Sequence, residues 1–137
     1  MRGYFGSRQD TGKGAFTLAL ACAIGLPLVL LAGCRDEIAP LRVPGGDAAR
    51  GKALVSQYQC GACHAIPGVA AASGTAGPPL DAFGRRSYIA GHIPNQPANL
   101  VRWLIDPPAM APGTTMPSLG LSEDEARHMA AYLYSLE

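Results

Sequence analysis

The sequence has few charged and few aromatic residues. The first shortage argues against a nucleic-acid partner, and the second argues against a core that is stable by itself. Charged residues make up 15% of the 137 residues, and 11 basic residues stand against 10 acidic ones, so nothing in the composition favours a nucleic-acid partner. The length suits one domain rather than two of ordinary size. A domain poor in large apolar side chains needs an additional stabilising element. Beyond residue 33 the aromatic residues are Tyr58, Phe83, Tyr88, Trp103, Tyr132 and Tyr134.

The first 33 residues differ in kind from the rest of the chain. Three basic residues precede an uncharged apolar run over residues 15–32, and this order is typical of an export signal. The run leads into Leu-Ala-Gly-Cys, which resembles the bacterial lipoprotein signal and implies cleavage before Cys34 and acylation of that cysteine. An ordinary cleaved signal and a retained anchor helix stay open, although Pro27 interrupts a run at the low end of the roughly 17–25 residues that cross a bilayer.

The organisation that follows is a signal peptide, a tether and one folded domain. We predict a lipoprotein signal peptide over residues 1–33 and a flexible tether over residues 34–45, which contain two prolines and no regular periodicity. The folded domain is predicted to span residues 46–137, outside the cytoplasm, facing the periplasm and anchored to a membrane. Without the first 33 residues the chain has eight basic and nine acidic residues, so the exported part is slightly acidic.

The segment Cys60-Gly61-Ala62-Cys63-His64 carries the chemistry. A Cys-x-x-Cys pair serves as a redox dithiol, as half of a zinc site or as a covalent haem attachment site. A thioredoxin-like motif requires a preceding strand, and no strand-like segment precedes Cys60. A zinc site requires further ligands, and no cysteine follows Cys63 to complete one. A disulfide is allowed in an exported protein but leaves His64 unexplained. Haem attachment accounts for all three residues, because the thiols bond to the haem and the histidine coordinates its iron.

Further motifs on both sides of this segment resemble the class I cytochrome c family over residues 46–136. They are Gly51-Lys52-Ala53-Leu54-Val55, Gly77-Pro78-Pro79-Leu80, Phe83-Gly84-Arg85, Pro112-Gly113-Thr114-Thr115-Met116 and Ala131-Tyr132-Leu133. The resemblance implies a small all-α cytochrome c fold, with three main helices and long loops wrapped around one covalently bound haem c and its iron. It also implies that the first and last helices cross at Gly51. Residues 86–134 further look like the cytochrome c domain that some bacterial cytochrome c oxidases carry on a subunit.

Local signals predict the three helices independently of the resemblance. Asp47 is a plausible N-cap for a helix over about residues 48–58, and Ser122 with Glu125 forms a capping box for the last helix. The middle helix must stop before Pro107. Helices separated by such long glycine- and proline-rich loops cannot close a core alone, whereas a haem between them can.

The second axial ligand decides between an electron carrier and an enzyme. Met116 matches the ligand of the family and stands in an extended, proline-flanked segment. Met129 and His128 lie on the last helix, where core and surface roles suit them better. Met110 takes an ordinary packing position after Pro107. His92 lies in a loop from which it could reach the iron.

The resemblance also implies four supporting residues. The Pro78 carbonyl should accept the Nδ1 proton of His64 and orient its ring. Trp103 takes the place of an aromatic residue packed beside the methionine ligand, and Arg85 and Thr114 stand at positions that contact the haem propionates. The alternative for Arg85 is a position in a solvated loop without contact to the propionates.

These observations predict a one-electron carrier rather than an enzyme. With His64 and Met116 both bound, the iron has no open position for oxygen or peroxide, and the neutral thioether raises the reduction potential. We expect a monomeric, lipid-anchored carrier in a bacterial respiratory chain, which delivers electrons to a terminal cytochrome c oxidase or accepts them from a periplasmic dehydrogenase. A haem enzyme or gas sensor with an open sixth position and an extracytoplasmic thiol redox module are the alternatives.

Overall fold

Within residues 41–137, the part of the chain that the computed structural model describes, four α-helices form the frame. They are α1 (Ala48–Gln57), α2 (Pro97–Ile105), α3 (Pro107–Met110) and α4 (Glu123–Tyr134). The long irregular segment between α1 and α2 contains two 3₁₀ turns, Cys60–Ala62 and Phe83–Arg85, and an antiparallel hairpin of β1 (Tyr88–Ile89) and β2 (Ile93–Pro94). None of the helices in this range is both long enough and apolar enough to cross a membrane. The predicted all-α fold is confirmed, whereas the signal peptide, Cys34 and most of the tether lie outside the described residues.

Capping residues set the starts of α1 and α4, as the sequence predicts. The Asp47 carboxylate accepts hydrogen bonds from the backbone N–H groups of Ala49 and Arg50 at 2.8 and 3.1 Å. Ser122 and Glu125 form the predicted capping box, in which each side chain bonds to the backbone N–H of the other residue. Two N–H groups that have no partner within the helix are thereby satisfied at each start.

The short helix α3 is absent from the sequence prediction. The middle helix α2 ends at Ile105, before Pro107 as predicted, but the chain then forms one further turn. Pro107 and Pro108 occupy the first two positions of this turn, where the missing N–H groups cost nothing. The carboxylate of Asp106 accepts a hydrogen bond from the Ala109 N–H at 3.3 Å and caps the turn.

Helices α1 and α4 cross in direct backbone contact at Gly51, and the predicted crossing is confirmed. Gly51 is buried, and a Cβ atom at this position would overlap the backbone carbonyl of His128. Because a helix backbone cannot move aside as the end of a side chain can, the approach requires glycine. The Asp47 N–H donates to Nδ1 of His128 at 3.0 Å, and the Tyr58 hydroxyl donates to Glu125 at 2.9 Å, so polar contacts reinforce the crossing.

Helix α2 packs against α4, and their facing sides are apolar. Leu100, Trp103 and Leu104 are buried on α2, while Met129 and Leu133 are buried on α4. All five side chains also line a cavity. The hydrophobic core therefore continues directly into the wall of a concave site.

Core packing also includes a residue of the segment predicted as the tether. Val43, which the sequence analysis assigns to the tether of residues 34–45, is 8% exposed and belongs to the core. Its carbonyl accepts a hydrogen bond from the Gly46 N–H at 3.0 Å, and a Cβ atom at Gly46 would overlap Ala131 and the Arg127 carbonyl on α4. One apolar side chain and one glycine suffice for this contact, and they leave no periodicity in the sequence that would indicate it.

Acidification is expected to weaken the start of α4. Hydrogen bonds from Ser122 lower the pKa of Glu125 below its usual 4.5, and the hydrogen bond from Arg127 lowers the pKa of Asp124 below its usual 3.8. A carboxyl group with a lowered folded-state pKa stabilises the fold above its unfolded pKa, and this stabilisation is lost as the pH falls through the folded-state pKa. Thermal unfolding followed by circular dichroism should therefore show a Tm that falls as the pH drops below 4.5.

Glu125→Gln is the control for this pH dependence. Glutamine does not ionise, so the variant should have a lower Tm than the wild type near neutral pH and should lose less of it on acidification. Equal losses of Tm in the two proteins would contradict the assignment of the acid sensitivity to this helix start.

Candidate functional site

A cavity of about 370 Å³ lies between α2, α4 and the irregular segments that connect the helices. Its walls are mostly apolar, and its volume falls within the range of small-molecule and cofactor sites, roughly 300–1,000 Å³. Predicted site residues that are far apart in the sequence converge on it. They are Cys60, Cys63, His64, Pro78, Trp103, Thr114 and Met116.

The 3₁₀ turn Cys60–Ala62 brings the two cysteines and the histidine to this cavity. The chain enters the turn through Gln59, whose φ of 55° lies in the left-handed region. The N–H groups of Cys63 and His64 then donate to the Cys60 carbonyl at 3.3 and 3.0 Å, which closes the turn. Cys60 is half-buried, Cys63 is exposed, and both thiols are free. Two thiols and one imidazole therefore lie together at the cavity wall.

The imidazole of His64 is held in one orientation and one tautomer. Its Nδ1 lies 2.7 Å from the carbonyl oxygen of Pro78, which is the contact that the family resemblance implies. Because a carbonyl oxygen only accepts hydrogen bonds, Nδ1 is the donor, and in the neutral ring Nε2 is then the nitrogen that can coordinate a metal. A Cβ atom at Gly77 would overlap the imidazole ring, so glycine leaves the space that the ring occupies.

Met116 lies in an irregular segment that side-chain hydrogen bonds tie down. The Thr114 hydroxyl accepts a hydrogen bond from the Met116 N–H at 3.3 Å, and the Ser118 hydroxyl donates to Asp106 at 2.8 Å. The turn before it passes through Gly113, whose φ of 89° would strain any side chain. Met116 itself is half-buried and lines the cavity, which places its thioether at the site.

The other four candidates for the second axial ligand occupy different places. His92 is exposed and does not line the cavity, and Nδ1 of His128 accepts the hydrogen bond from the cap of α1. Met110 lines a separate pocket of about 200 Å³ beside the end of α2. Met129 does line the cavity, but it is fully buried in the core of α4, where the sequence analysis assigns it a packing role. Met116 therefore stays our prediction.

The structure places Arg86, rather than Arg85, on the cavity wall. Arg85 ends the 3₁₀ turn Phe83–Arg85 and is exposed, whereas Arg86 is half-buried and lines the cavity. The turn buries Phe83, and the two adjacent arginines after it have different surroundings. That Arg85 contacts a haem propionate stays a prediction. The sequence offers no signal that separates two neighbouring arginines.

Two further wall residues were missed because exposed apolar residues carry no chemical signature. Tyr88 is 57% exposed and Leu119 is 39% exposed, yet both line the cavity. Trp103 is 7% exposed and Thr114 is half-buried, and both lie at the wall. The cavity is therefore bounded by buried core residues on one side and by solvent-accessible apolar residues on another.

The alternative chemistries of a Cys-x-x-Cys pair gain no support from this environment. Burial raises the pKa of the Cys60 thiol, whereas a reactive dithiol requires a lowered thiol pKa. In the part of the chain that the structure describes, no group of three or more His, Cys, Asp or Glu side chains is placed to hold a metal ion. A structural zinc site needs four such ligands.

The donor set fits a covalently attached metal porphyrin. Two thiols suit covalent bonds to the macrocycle, and an unprotonated imidazole nitrogen and a thioether sulfur are axial ligands that haem iron accepts. Apolar walls suit a large flat ring and keep water away from it.

Comparisons with known proteins agree with this chemistry. The sequence matches the family model described as Cytochrome c over residues 48–137. It is 36% identical over 89 residues to cytochrome c oxidase subunit 2 of Alkalihalophilus pseudofirmus, an alignment that covers 64% of this chain and 25% of that relative, so the chain spans about a quarter of the relative's length. No solved structure matches the chain. The chain belongs to the cytochrome c family, whose members bind covalent haem c with its iron.

Proposed function

We propose that this cytochrome c is a monohaem one-electron carrier of a bacterial respiratory chain, without catalytic activity of its own. The observation that carries the proposal is the presence of an oriented His64 and the thioether of Met116 at one cavity. Haem c supplies a reversible one-electron couple at its iron when bound. With both side chains bound to the iron, no position would be left for oxygen or peroxide, and the protein would accept one electron from a donor and pass it to an acceptor.

Each side chain at the cavity has its own role in holding the haem. Cys60 and Cys63 attach it, since each thiol adds across a vinyl double bond without a leaving group. His64 offers Nε2 to the iron while the Pro78 carbonyl fixes its ring, and Met116 offers a neutral sulfur that favours Fe(II). The apolar walls exclude water, which also influences the potential.

A terminal oxidase is the acceptor that we propose. The support is the similarity of the chain to part of a protein named cytochrome c oxidase subunit 2. A periplasmic dehydrogenase is the complementary donor, and the carrier acts as a monomer. Membranes of the source bacterium should oxidise the reduced protein in a cyanide-sensitive reaction, and cyanide-insensitive oxidation would argue against an oxidase.

Attachment to the outer face of a membrane through an acylated Cys34 completes the proposal. The sequence Leu-Ala-Gly-Cys after the apolar run supports it. Cys34→Ser should move the haem-loaded domain from the membrane fraction to the soluble periplasmic fraction, because the lipid is the proposed anchor. Fractionation with immunoblotting measures this, and a variant that stays in the membrane fraction would indicate a retained anchor helix instead.

Expression with a cytochrome c maturation system tests the electron-carrier function. The wild type should retain a haem stain on a denaturing gel, and its ferric spectrum should be low-spin with the far-red band of methionine-ligated iron. A variant with serine at both Cys60 and Cys63 should lose the stain, whereas Cys34→Ser should keep it. A high-spin ferric spectrum would contradict the carrier function and favour a haem enzyme or sensor.

A further inference from the structure

Pro78, whose carbonyl orients His64, and the next residue, Pro79, cannot fix their own positions through backbone donors. Pro78 and Pro79 have no backbone N–H and so donate no hydrogen bond. The flanking N–H groups of Gly77 and Leu80 donate to backbone carbonyls of the segment around His64, both at 2.8 Å. Between these two anchors, the positions of the proline carbonyls depend on donors supplied from elsewhere in the molecule.

Arg86 supplies such a donor. Its Nη2 donates to the carbonyl oxygens of Pro79 at 2.5 Å and Asp81 at 2.9 Å. The Asp81 carboxylate lies 3.8 Å from the same nitrogen, and the guanidinium carbon lies 5.8 Å from the centre of the Phe83 ring. Hydrogen bonds from a charged donor are stronger than those between neutral groups. The guanidinium therefore clamps the loop directly after the carbonyl that orients His64.

Arg86 is in turn anchored to the core. Asn95 is 7% exposed and donates through Nδ2 to the Arg86 carbonyl at 2.9 Å. Its Oδ1 accepts a hydrogen bond from the Tyr134 hydroxyl on α4 at 2.9 Å. Burial raises the pKa of Tyr134 to about 12, so this hydroxyl stays protonated and donates. A continuous set of hydrogen bonds thus runs from α4 through Asn95 to the backbone of Arg86.

We infer that Arg86 is a positioning residue for His64, because it holds the Pro79 carbonyl and thereby keeps the Pro78 carbonyl in place to accept the Nδ1 proton. The inference rests on the proposed coordination of the iron by His64. Arg85 provides the matched comparison, since it carries the same charge at the adjacent position but is exposed and does not line the cavity.

Hydrogen exchange of the His64 Nδ1 proton tests the inference, measured by NMR on the reduced, haem-loaded protein in deuterated water. Arg86→Ala removes the clamp and should speed this exchange about tenfold or more, the effect expected for losing a hydrogen bond from a charged group. Backbone amides in the middle of α4 should exchange as in the wild type. Arg85→Ala should leave the Nδ1 exchange unchanged.

Each alternative outcome has a defined meaning. Three results would overturn the inference. They are Nδ1 exchange at the wild-type rate in Arg86→Ala, an acceleration in Arg85→Ala as large as that in Arg86→Ala, and an equal acceleration of the α4 amides in Arg86→Ala. Arg86→Met is the second variant if the alanine variant fails to mature, because this unbranched side chain has no donor for either carbonyl. Wild-type exchange in it would overturn the inference too. A wild type that lacks the low-spin spectrum would overturn the proposed function and this inference together, whereas a normal spectrum with unchanged exchange overturns the inference alone.

Discussion

Replacing Met116 with leucine is expected to leave haem attached while lowering the reduction potential by about 0.1 V or more, since axial ligands set haem potentials over a range of about 0.8 V. Cys60 and Cys63 still hold the group, but leucine has no sulfur to offer the iron, and loss of the neutral thioether disfavours Fe(II). The freed position should also bind added cyanide or imidazole. Potentiometric titration and ligand-binding spectra of the purified protein measure both effects.

The same substitution at two other methionines provides the controls. Met110→Leu changes a side chain at a separate pocket and should leave the potential unchanged. Met129→Leu changes the second sulfur at the cavity wall, and a volume-conserving exchange in a core should cost less than about 1.5 kcal/mol of stability with ligation intact. Loss of the far-red band in the Met129 variant, with the Met116 variant still ligated, would identify Met129 as the ligand.

Gly51→Ala is expected to destabilise the domain by about 2–4 kcal/mol, or to prevent its maturation. The added Cβ would overlap the His128 carbonyl, so one helix must move away from the other and open the core beside the cavity. For a domain of this size the loss corresponds to a fall in Tm of roughly 10–20 °C. Thermal unfolding of the haem-loaded protein by circular dichroism measures it.

Lys52→Ala is the matched control on the same helix. Lys52 is the exposed neighbour of Gly51, so its truncation should change the stability by no more than about 0.5 kcal/mol. If Gly51→Ala were equally harmless, the direct contact between the α1 and α4 backbones would be refuted, because alanine at an unhindered helix position stabilises rather than destabilises.

Features that depend on neighbouring residues could be predicted from the sequence. Asp47 caps α1 through N–H groups two and three residues away, and the Ser122 box spans three residues, so the residue types alone indicate the helix starts. Pro107 stops α2 because its ring restricts the preceding residue. The Cys-x-x-Cys-His segment is likewise compact, and one turn brings its three functional groups to the cavity.

Features that depend on distant contacts could not be predicted in this way. Val43 has no pattern around it, yet it is buried, and the nearby Gly46 lies against a helix more than eighty residues further along the chain. The hairpin of β1 and β2 has strands of two residues, too short to show alternation. Asp106 both caps α3 and accepts a hydrogen bond from Ser118, which ties down the Met116 segment, and neither role has a sequence signature.

The sequence by itself determined the chemistry of this protein, namely two thiols and a histidine at haem-attachment spacing and a downstream methionine, and it also determined two capped helix starts. These depend on residue type and short spacing, which backbone geometry converts directly into local structure. Only the tertiary structure decided that Arg86 rather than Arg85 reaches the cavity, and that its guanidinium clamps the loop that orients His64. That choice depends on how a buried turn packs against Asn95 and α4, and long-range packing leaves no trace in the order of two identical residues.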